Sequence, residues 1–276
     1  MKQTTLLLTL LVLIMACSET VSPTDDNFVV EGFITANAPV DNIKVKMTSP
    51  IDARNVTNAP ITNARVMLSD QHGEYLLEYD VSTEKYRYPG NDLDIVIGSE
   101  VQIEVQVDDR SATAQTRVPE APTGLALSEP TINIPQLVLN FSLRDRISEL
   151  FEEERITLSW DAVEGRRFFV VIESQVEELD PILPEQIPEQ SRELLGSFRF
   201  ISEPSETPEF EIIGIALETY GRHVAKVFTV NEEYADLFDN LEQDSRDLNE
   251  PPSNIVNALG IFTAFAVDSI EFNVTR

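Results

Sequence analysis

Apolar and polar residues alternate along many short segments of this chain. The pattern is clearest at residues 101–107, where Val101, Ile103, Val105 and Val107 alternate with glutamine and glutamate. A period of two places one face of a strand in a core and the other in water. Similar runs predict further strands at residues 28–34, 43–47, 64–69, 75–79, 112–118, 131–143, 156–160, 168–172, 197–202, 210–217, 222–230 and 270–274. This series predicts a mainly β protein built of β-sandwiches.

Two segments carry apolar residues at helical spacing instead. In the segment 231–245, apolar side chains recur at i, i+3, i+4 and i+7 from Tyr234, and Asn231 precedes them as an N-cap. Two glutamates suit the positive first turn of that helix. Such a stripe packs more often on its own domain than on a partner. A second, shorter helix is predicted at residues 144–154.

The proline-containing segment 119–123 divides the chain into two predicted domains. Its two prolines cannot donate to a sheet ladder, and they stiffen the connection. We therefore predict one β-sandwich at residues 28–118, a proline hinge, and a second β-sandwich at residues 124–276. The second includes the helix at 231–245 and an inserted acidic loop at 173–190.

The inserted loop is the candidate binding segment. It contains three prolines, which prevent a continuous helix, and Ile182, Leu183 and Ile187 supply apolar contacts. Long loops on a sandwich are where binding residues concentrate. The alternative is that the loop folds over the edge of its own domain.

The first 17 residues have the pattern of an export signal. Lys2 provides a positive start, an apolar run follows, and Ala16 precedes Cys17, the one cysteine of the chain. The run is shorter than the ~20 residues that span a bilayer. We interpret it as a lipoprotein signal with Cys17 as the lipidated residue. An ordinary signal peptide and an uncleaved anchor are the alternatives, and residues 18–27 form a polar tether.

The formal net charge is −28. Nucleic acid is excluded as a partner, because affinity for phosphates comes from clustered lysine and arginine. An acidic body on a lipid tether also stands off from an anionic membrane surface. Hydrophobic residues make up 42% of the chain, which argues against global disorder.

No pattern of catalytic, cofactor-binding or metal-binding residues stands out. His72 and His223 are the only histidines and are far apart, and one cysteine allows neither a disulfide nor a cysteine metal site. Phosphate loops and a Gly-x-Ser-x-Gly elbow are absent. The acidic pairs at residues 92/94 and 108–109 lack the spacing of a calcium loop. We expect no enzyme activity, metal or cofactor.

Two local resemblances refine the fold prediction. Residues 60–70, with Gly73 and the Tyr-Arg-Tyr at 86–88, resemble the carboxypeptidase regulatory-like, prealbumin-type sandwich, which implies a spacer domain. Residues 156–172 form a strand, a turn and a strand that resemble strands B and C of a fibronectin type III module. That resemblance implies that Trp160 is a core residue.

The order of four segments resembles a family that spans nearly the whole chain. The segments are residues 29–35, the Pro-Ile-x-Asn-Ala-x-Val at 60–66, the helix at 231–241, and residues 252–262. They are similar to the Bacteroidetes lipoprotein family catalogued as domain of unknown function 4249. Where members often have Gly-Gly-Leu-Gly, this chain has Asn-Ala-Leu-Gly at 257–260.

The family resemblance implies a location and a role. It implies an outer-membrane lipoprotein encoded near a TonB-dependent transporter, with an accessory part in nutrient or metal capture. Acidic residues in the tether resemble a signal for cell-surface display, and the periplasmic face is the alternative. We therefore expect a non-enzymatic accessory or ligand-binding subunit whose partners are the membrane, the transporter and a small ligand. The alternatives are a structural or adhesive module and a hydrolase using two carboxylates.

Overall fold

The computed structural model describes residues 28–48, 59–136, 154–178, 180–182, 199–214, 217–239 and 252–276. These residues form a mainly β structure of two tandem sandwiches with one short helix, which confirms the predicted fold class. The strands are β1 Phe28–Thr35, β2 Ile43–Met47, β3 Arg65–Ser69, β4 Glu74–Asp80, β5 Lys85–Arg87, β6 Glu100–Val107, β7 Arg110–Arg117, β8 Ala126–Leu127, β9 Thr131–Asn133, β10 Arg155–Ser159, β11 Arg167–Ser174, β12 Arg199–Ile201, β13 Glu209–Ile213, β14 Gly221–Val230 and β15 Leu259–Thr275, and the helix is α1 Glu232–Asp239.

The first sandwich is a hydrogen-bonded path of strands that wraps around one core. The order runs β15-β1-β2-β5-β4-β3-β6-β7. The path returns to its start because Val256, just before β15, exchanges backbone hydrogen bonds of 2.8 and 3.2 Å with Thr113 of β7. The alternation in β6 has the predicted outcome, since its valines and Ile103 are buried while its polar residues are exposed. A single apolar core results.

The second sandwich packs two sheets face to face. One sheet contains β12, β11, β14 and the later half of β15, to whose end β9 adds in parallel. The other contains β13, β10 and β8. Trp160, directly after β10, is 7% exposed, and its ring meets that of Phe168 edge-on at 5.6 Å. The core between the sheets is separate from that of the first sandwich.

Strand β15 belongs to both sandwiches. Its first part pairs in parallel with β1, from Leu259 opposite Val29 to Phe265 opposite Thr35. Its second part pairs antiparallel with β14, from Ala266 to Val274. The predicted division placed every residue after the hinge in the second sandwich, so it did not anticipate that β15 pairs with β1 of the first sandwich. This pairing is possible because residues 261–266 are apolar or small on both faces, and one of those faces packs in the first core.

The proline segment is fastened to the second sandwich. The Thr123 carbonyl accepts a 2.8 Å hydrogen bond from the Asp161 N–H, and the Thr123 hydroxyl donates to the Asp161 carboxylate at 2.8 Å. Glu120 and Arg166 form an ion pair of 2.5 Å. The connection between the sandwiches therefore has fixed contacts in addition to its prolines.

Helix α1 begins where predicted and is attached to the first sandwich. The Asn231 carbonyl accepts from the N–H groups of Tyr234 and Ala235, as a residue preceding a helix does. Its side-chain amide instead donates to the Thr116 hydroxyl at 3.0 Å. The Thr116 hydroxyl donates to Glu233 at 2.7 Å. The rest of the predicted helix, from residue 240, and nearly all of the predicted helix at 144–154 lie outside the described residues. No helix in the described ranges is long and apolar enough to cross a membrane.

Candidate functional site

A crevice lined by aromatic side chains lies where the two sandwiches meet. On β1, Phe28, Val30 and Ile34 enter the first core, so Phe33 faces the opposite side of the sheet. The same side receives Phe265 from the shared strand β15. Because the sheet continues through β15 into the second sandwich, Phe228 of β14 and Phe169 of β11 join them. Four strands thus contribute one ring each.

The rings pack in two stacked pairs. Phe169 and Phe228 are directly opposite on neighbouring strands, with ring centroids 4.6 Å apart and planes 1° from parallel. Phe33 and Phe265 stack at 6.0 Å. Phe265 also meets Phe169 edge-on at 5.6 Å and so connects the pairs. Offset stacks and edge-on contacts are the favoured arrangements for aromatic rings.

Helix α1 adds a fifth ring and a hydroxyl. The ring of Tyr234 lies edge-on to Phe265 at 4.9 Å and to Phe33 at 6.2 Å. Burial raises the pKa of Tyr234 above its ordinary value, so the phenol stays neutral at physiological pH. Within the described part of the chain, its hydroxyl has no hydrogen-bond partner. Tyr234 therefore adds a neutral phenol to the residues that line the crevice.

The rim of the crevice is polar and acidic. The Lys226 ammonium and the Glu173 carboxylate form an ion pair of 2.6 Å across β14 and β11. Asp41, which is exposed, also lines the crevice, next to Asn42. The crevice has a volume of about 500 Å³, within the ~300–1,000 Å³ typical of small-molecule sites. Its position between two domains is also typical of ligand sites.

One apolar residue of the predicted binding loop, Ile182, lies in a core, whereas Gln175, Glu177 and Glu178 are exposed. Ile182 is 2% exposed within the second core, and its N–H donates to the Glu218 carbonyl at 2.9 Å. This placement agrees with the alternative in which the loop folds over its own domain edge. Leu183 and Ile187 lie outside the described residues, as does Cys17, and their roles stay predictions.

The two histidines occupy unrelated environments. His72 is exposed in the β3–β4 turn and contacts Asp70 at 3.0 Å. His223 is buried, stacks on Phe272 at 5.4 Å, and has its Nδ1 3.1 Å from the Gly221 carbonyl. Burial lowers the pKa of His223. Among the described residues, no three side chains of histidine, cysteine, aspartate or glutamate are arranged to hold a metal ion.

The acidic pairs have local roles. Asp92 accepts a 2.5 Å hydrogen bond from the Tyr88 hydroxyl. Asp108 is in the β6–β7 turn with a φ of 54°.

Sequence reasoning did not find the aromatic crevice. Its five rings come from segments more than 230 residues apart, and pairing of β1 with β15 brings them together. The available signal was local: Phe33 and Phe228 occupy positions that alternation assigns to the wet face of a strand. Large aromatic residues at wet-face positions indicate a covered surface or a binding surface.

Comparison with known proteins places the chain in a family. Residues 18–271 match the family described as "Domain of unknown function (DUF4249)". No curated protein matches the chain. A two-domain fibronectin type III segment of chicken tenascin is similar at 12% identity and a TM-score of 0.25, covering 90% of this chain and 99% of that one. The FN1–FN3 domains of chicken CNTN1 give 8% identity and a TM-score of 0.18, covering 89% and 68%. At such TM-scores the fold assignment rests on the strands described above.

Proposed function

The chain belongs to the DUF4249 family, and we propose that it is a lipid-anchored, non-enzymatic subunit of the outer membrane that binds a ligand beside a TonB-dependent transporter. The observation that carries the proposal is the aromatic crevice. Five rings from both sandwiches line it, together with the carboxylates of Asp41 and Glu173. Rings gathered in one crevice suit the binding of a ligand, and the charged side chains that line the same crevice are Asp41, Glu173 and Lys226.

The membrane anchor in this proposal is Cys17. It follows the apolar run and Ala16, which is the sequence pattern of a lipidation site. The tether of residues 18–27 then leads to the start of β1 at Phe28. Because β15 runs parallel to β1 and continues beyond it, the second sandwich lies on the side of the first that faces away from the tether.

Fractionation of Cys17→Ala tests the anchor. We expect Cys17→Ala to be lost from the outer-membrane fraction. Ser18→Ala, which changes only the neighbouring residue, should remain in that fraction. Globomycin should cause precursor to accumulate for the wild type and for Ser18→Ala. If Cys17→Ala is processed and remains in the membrane like the wild type, the anchoring proposal is wrong.

Affinity purification from native membranes tests the partner. After mild crosslinking, we expect a TonB-dependent transporter to be recovered with the wild type in comparable molar amount. Recovery of the lipoprotein with no transporter would contradict the accessory role. Repeating the purification with Ser18→Ala controls for changes near the anchor that leave lipidation intact.

A structural surface module is the second candidate, and the shared strand favours it. A strand that runs through both sandwiches holds them in a fixed order, as a spacer requires. This candidate predicts that removing the crevice rings leaves every ligand and partner interaction unchanged. Ligand binding by Phe228→Leu, which removes one of these rings, therefore separates the two candidates.

A further inference from the structure

We propose that the aromatic crevice between the sandwiches binds an apolar organic cation, namely a quaternary ammonium or guanidinium group. This inference rests on the proposed function as a ligand-binding subunit and names the chemical class of the ligand. Three features support it: partly open aromatic rings, an excess of negative charge, and the pairing of the single cation at the rim.

The rings provide the attractive surface. Phe33, Phe228 and Tyr234 are only half-buried, so part of each ring is open to an occupant, while Phe169 and Phe265 are buried behind them. The face of an aromatic ring carries negative potential and attracts a cation within about 6 Å of its centroid. Several rings around one space act together on the same charge.

Charge at the rim favours a cation over an anion. Asp41 is exposed and has no ion-pair partner in the described ranges. Glu173 holds the Lys226 ammonium at 2.6 Å, and Lys226 is the one positive group among the described residues that line the crevice. The chain as a whole carries a formal charge of −28, and such a field concentrates cations and repels anions.

Other concave regions of the described structure lack this combination. The crevice between residues 37–40 and 88–96 has one aromatic side chain, Tyr88, whose hydroxyl is engaged by Asp92. The crevice beside Ser69 and Val96 has no aromatic residue. The interdomain crevice is therefore the place where ring faces and an unpaired carboxylate meet.

The chain shows the same chemistry within its own fold. The Arg276 guanidinium lies 4.4 Å from the centroid of the Tyr220 ring, and the Arg110 guanidinium lies 5.6 Å from that of Phe28. Both distances are within the range of cation–π attraction. An external cation in the crevice would meet more rings than either arginine does.

Calorimetric titration of the full-length protein with choline tests the proposal. The matched ligand is 3,3-dimethylbutan-1-ol, which has the shape of choline without its charge. We expect choline to bind about tenfold more tightly than the alcohol, and its affinity to fall as salt concentration rises. Ethylguanidinium forms a second arm, and the tighter of the two cations identifies whether the group is an ammonium or a guanidinium.

Variants locate the site. Phe228→Leu should weaken choline binding about tenfold, whereas Tyr234→Phe, which keeps the ring, should remain within about twofold of the wild type. Asp41→Asn changes only the charge of an exposed residue, so we expect the variant to fold like the wild type. It should weaken choline binding about threefold and leave the alcohol unaffected, and Asp94→Asn in the neighbouring crevice should change neither.

Two results would overturn the proposal. One is equal affinity for choline and its neutral analogue, which would identify an apolar or hydroxyl-bearing ligand. The other is no binding of either cation at millimolar concentration. In both cases a transporter recovered from native membranes would leave the accessory role intact. Cation binding without a recovered transporter would instead contradict only that role.

Discussion

The two parts of strand β15 share one backbone and have opposite surroundings. In the first part, residues 261–266 are all buried, because the first core covers one face and the aromatic cluster with α1 covers the other. In the second part, Phe272 and Val274 are buried while Glu271 and Asn273 are exposed, so one face is in water. The hydrogen-bond partner also changes, from parallel β1 to antiparallel β14.

This contrast shows how an apolar run and an alternating run differ within a single strand. A strand buried on both faces has no period of two, whereas a half-buried strand has a clear one. It also predicts different sensitivities to mutation. Substitutions on either face of the first part should disturb a packed surface, whereas in the second part only those on the buried face should do so.

The largest effect is expected at Gly260, at the start of the first part. Its φ is +112°, and a Cβ placed there would lie 2.1 Å from the Val30 carbonyl oxygen of β1. Gly260→Ala combines backbone strain with a clash that only movement of a strand can relieve, and should cost about 4 kcal/mol or more. Denaturant unfolding measures the cost.

Gly98→Ala is the matched control for this substitution. Gly98 also has a positive φ, of +83°, but a Cβ there would have nothing within 4 Å. The control should cost only about 1 kcal/mol, from conformation alone. Similar costs at the two glycines would show that the close approach of β1 and β15 is not what limits stability.

A somewhat smaller effect is expected from Phe262→Ala in the first core. Phe262 is 0% exposed, and removal of its ring should cost about 3–4 kcal/mol. Because β15 joins the sandwiches, we expect the fluorescence transition of Trp160, the only tryptophan, to shift together with the far-UV circular dichroism transition. Phe272→Ala, in the second core, should shift both signals as well. If the fluorescence transition of Trp160 does not shift in Phe262→Ala, the sandwiches unfold independently.

An intermediate effect is expected at Asn254, which pairs with the first part of β15. Its side-chain amide donates to the Phe262 carbonyl at 2.7 Å and accepts from the Phe262 N–H at 2.9 Å, as a neighbouring strand would. Asn254→Ala leaves both groups without this partner and should cost about 2 kcal/mol in urea unfolding. Asn273→Ala, at an exposed site in the second part, should cost less than about 0.5 kcal/mol. Equal costs would remove the proposed difference between the parts.

The smallest effect is a pH dependence in the second part. His223 stacks on Phe272, and burial lowers its pKa below the ordinary 6.5. A depressed folded-state pKa means that its contribution to stability is complete above pH 6.5 and is lost as pH falls through the lower folded-state pKa. Urea midpoints from pH 8 to pH 5 should fall, and the decrease should be smaller in His223→Gln. His72→Gln, at an exposed histidine, should retain the wild-type dependence.

The half-buried strands were predictable from sequence because each carries its own signal. Alternation located β6, β14 and the end of β15, and the start of α1 followed from its apolar spacing and Asn231. The first part of β15 was missed because its apolar run has no period and its partner, β1, is more than 220 residues away in the chain. In the segment 257–260, Asn257 adopts a φ of 65°, a left-handed conformation that asparagine tolerates, and Gly260 allows the close approach of β15 to β1.

The candidate site was less predictable than the fold. The loop at 173–190 is a predicted binding segment because loops often bind ligands, but its residue Ile182 is in a core. The crevice depends instead on which strands become neighbours. That information is contained in long-range pairing, which the local pattern of a single sequence does not reveal.

The parallel pairing of β1 with β15 also determines how the molecule resists mechanical force. In our proposal the pull of the membrane enters at Cys17 and reaches the beginning of β1, while drag on the second sandwich acts through the far end of β15. The two strands are then pulled in opposite directions along their own axes. Seven residue pairs, from Val29 with Leu259 to Thr35 with Phe265, carry this load in shear, so their hydrogen bonds must break together and not one after another. The shared strand would act as a tensile link between the anchor and the far sandwich.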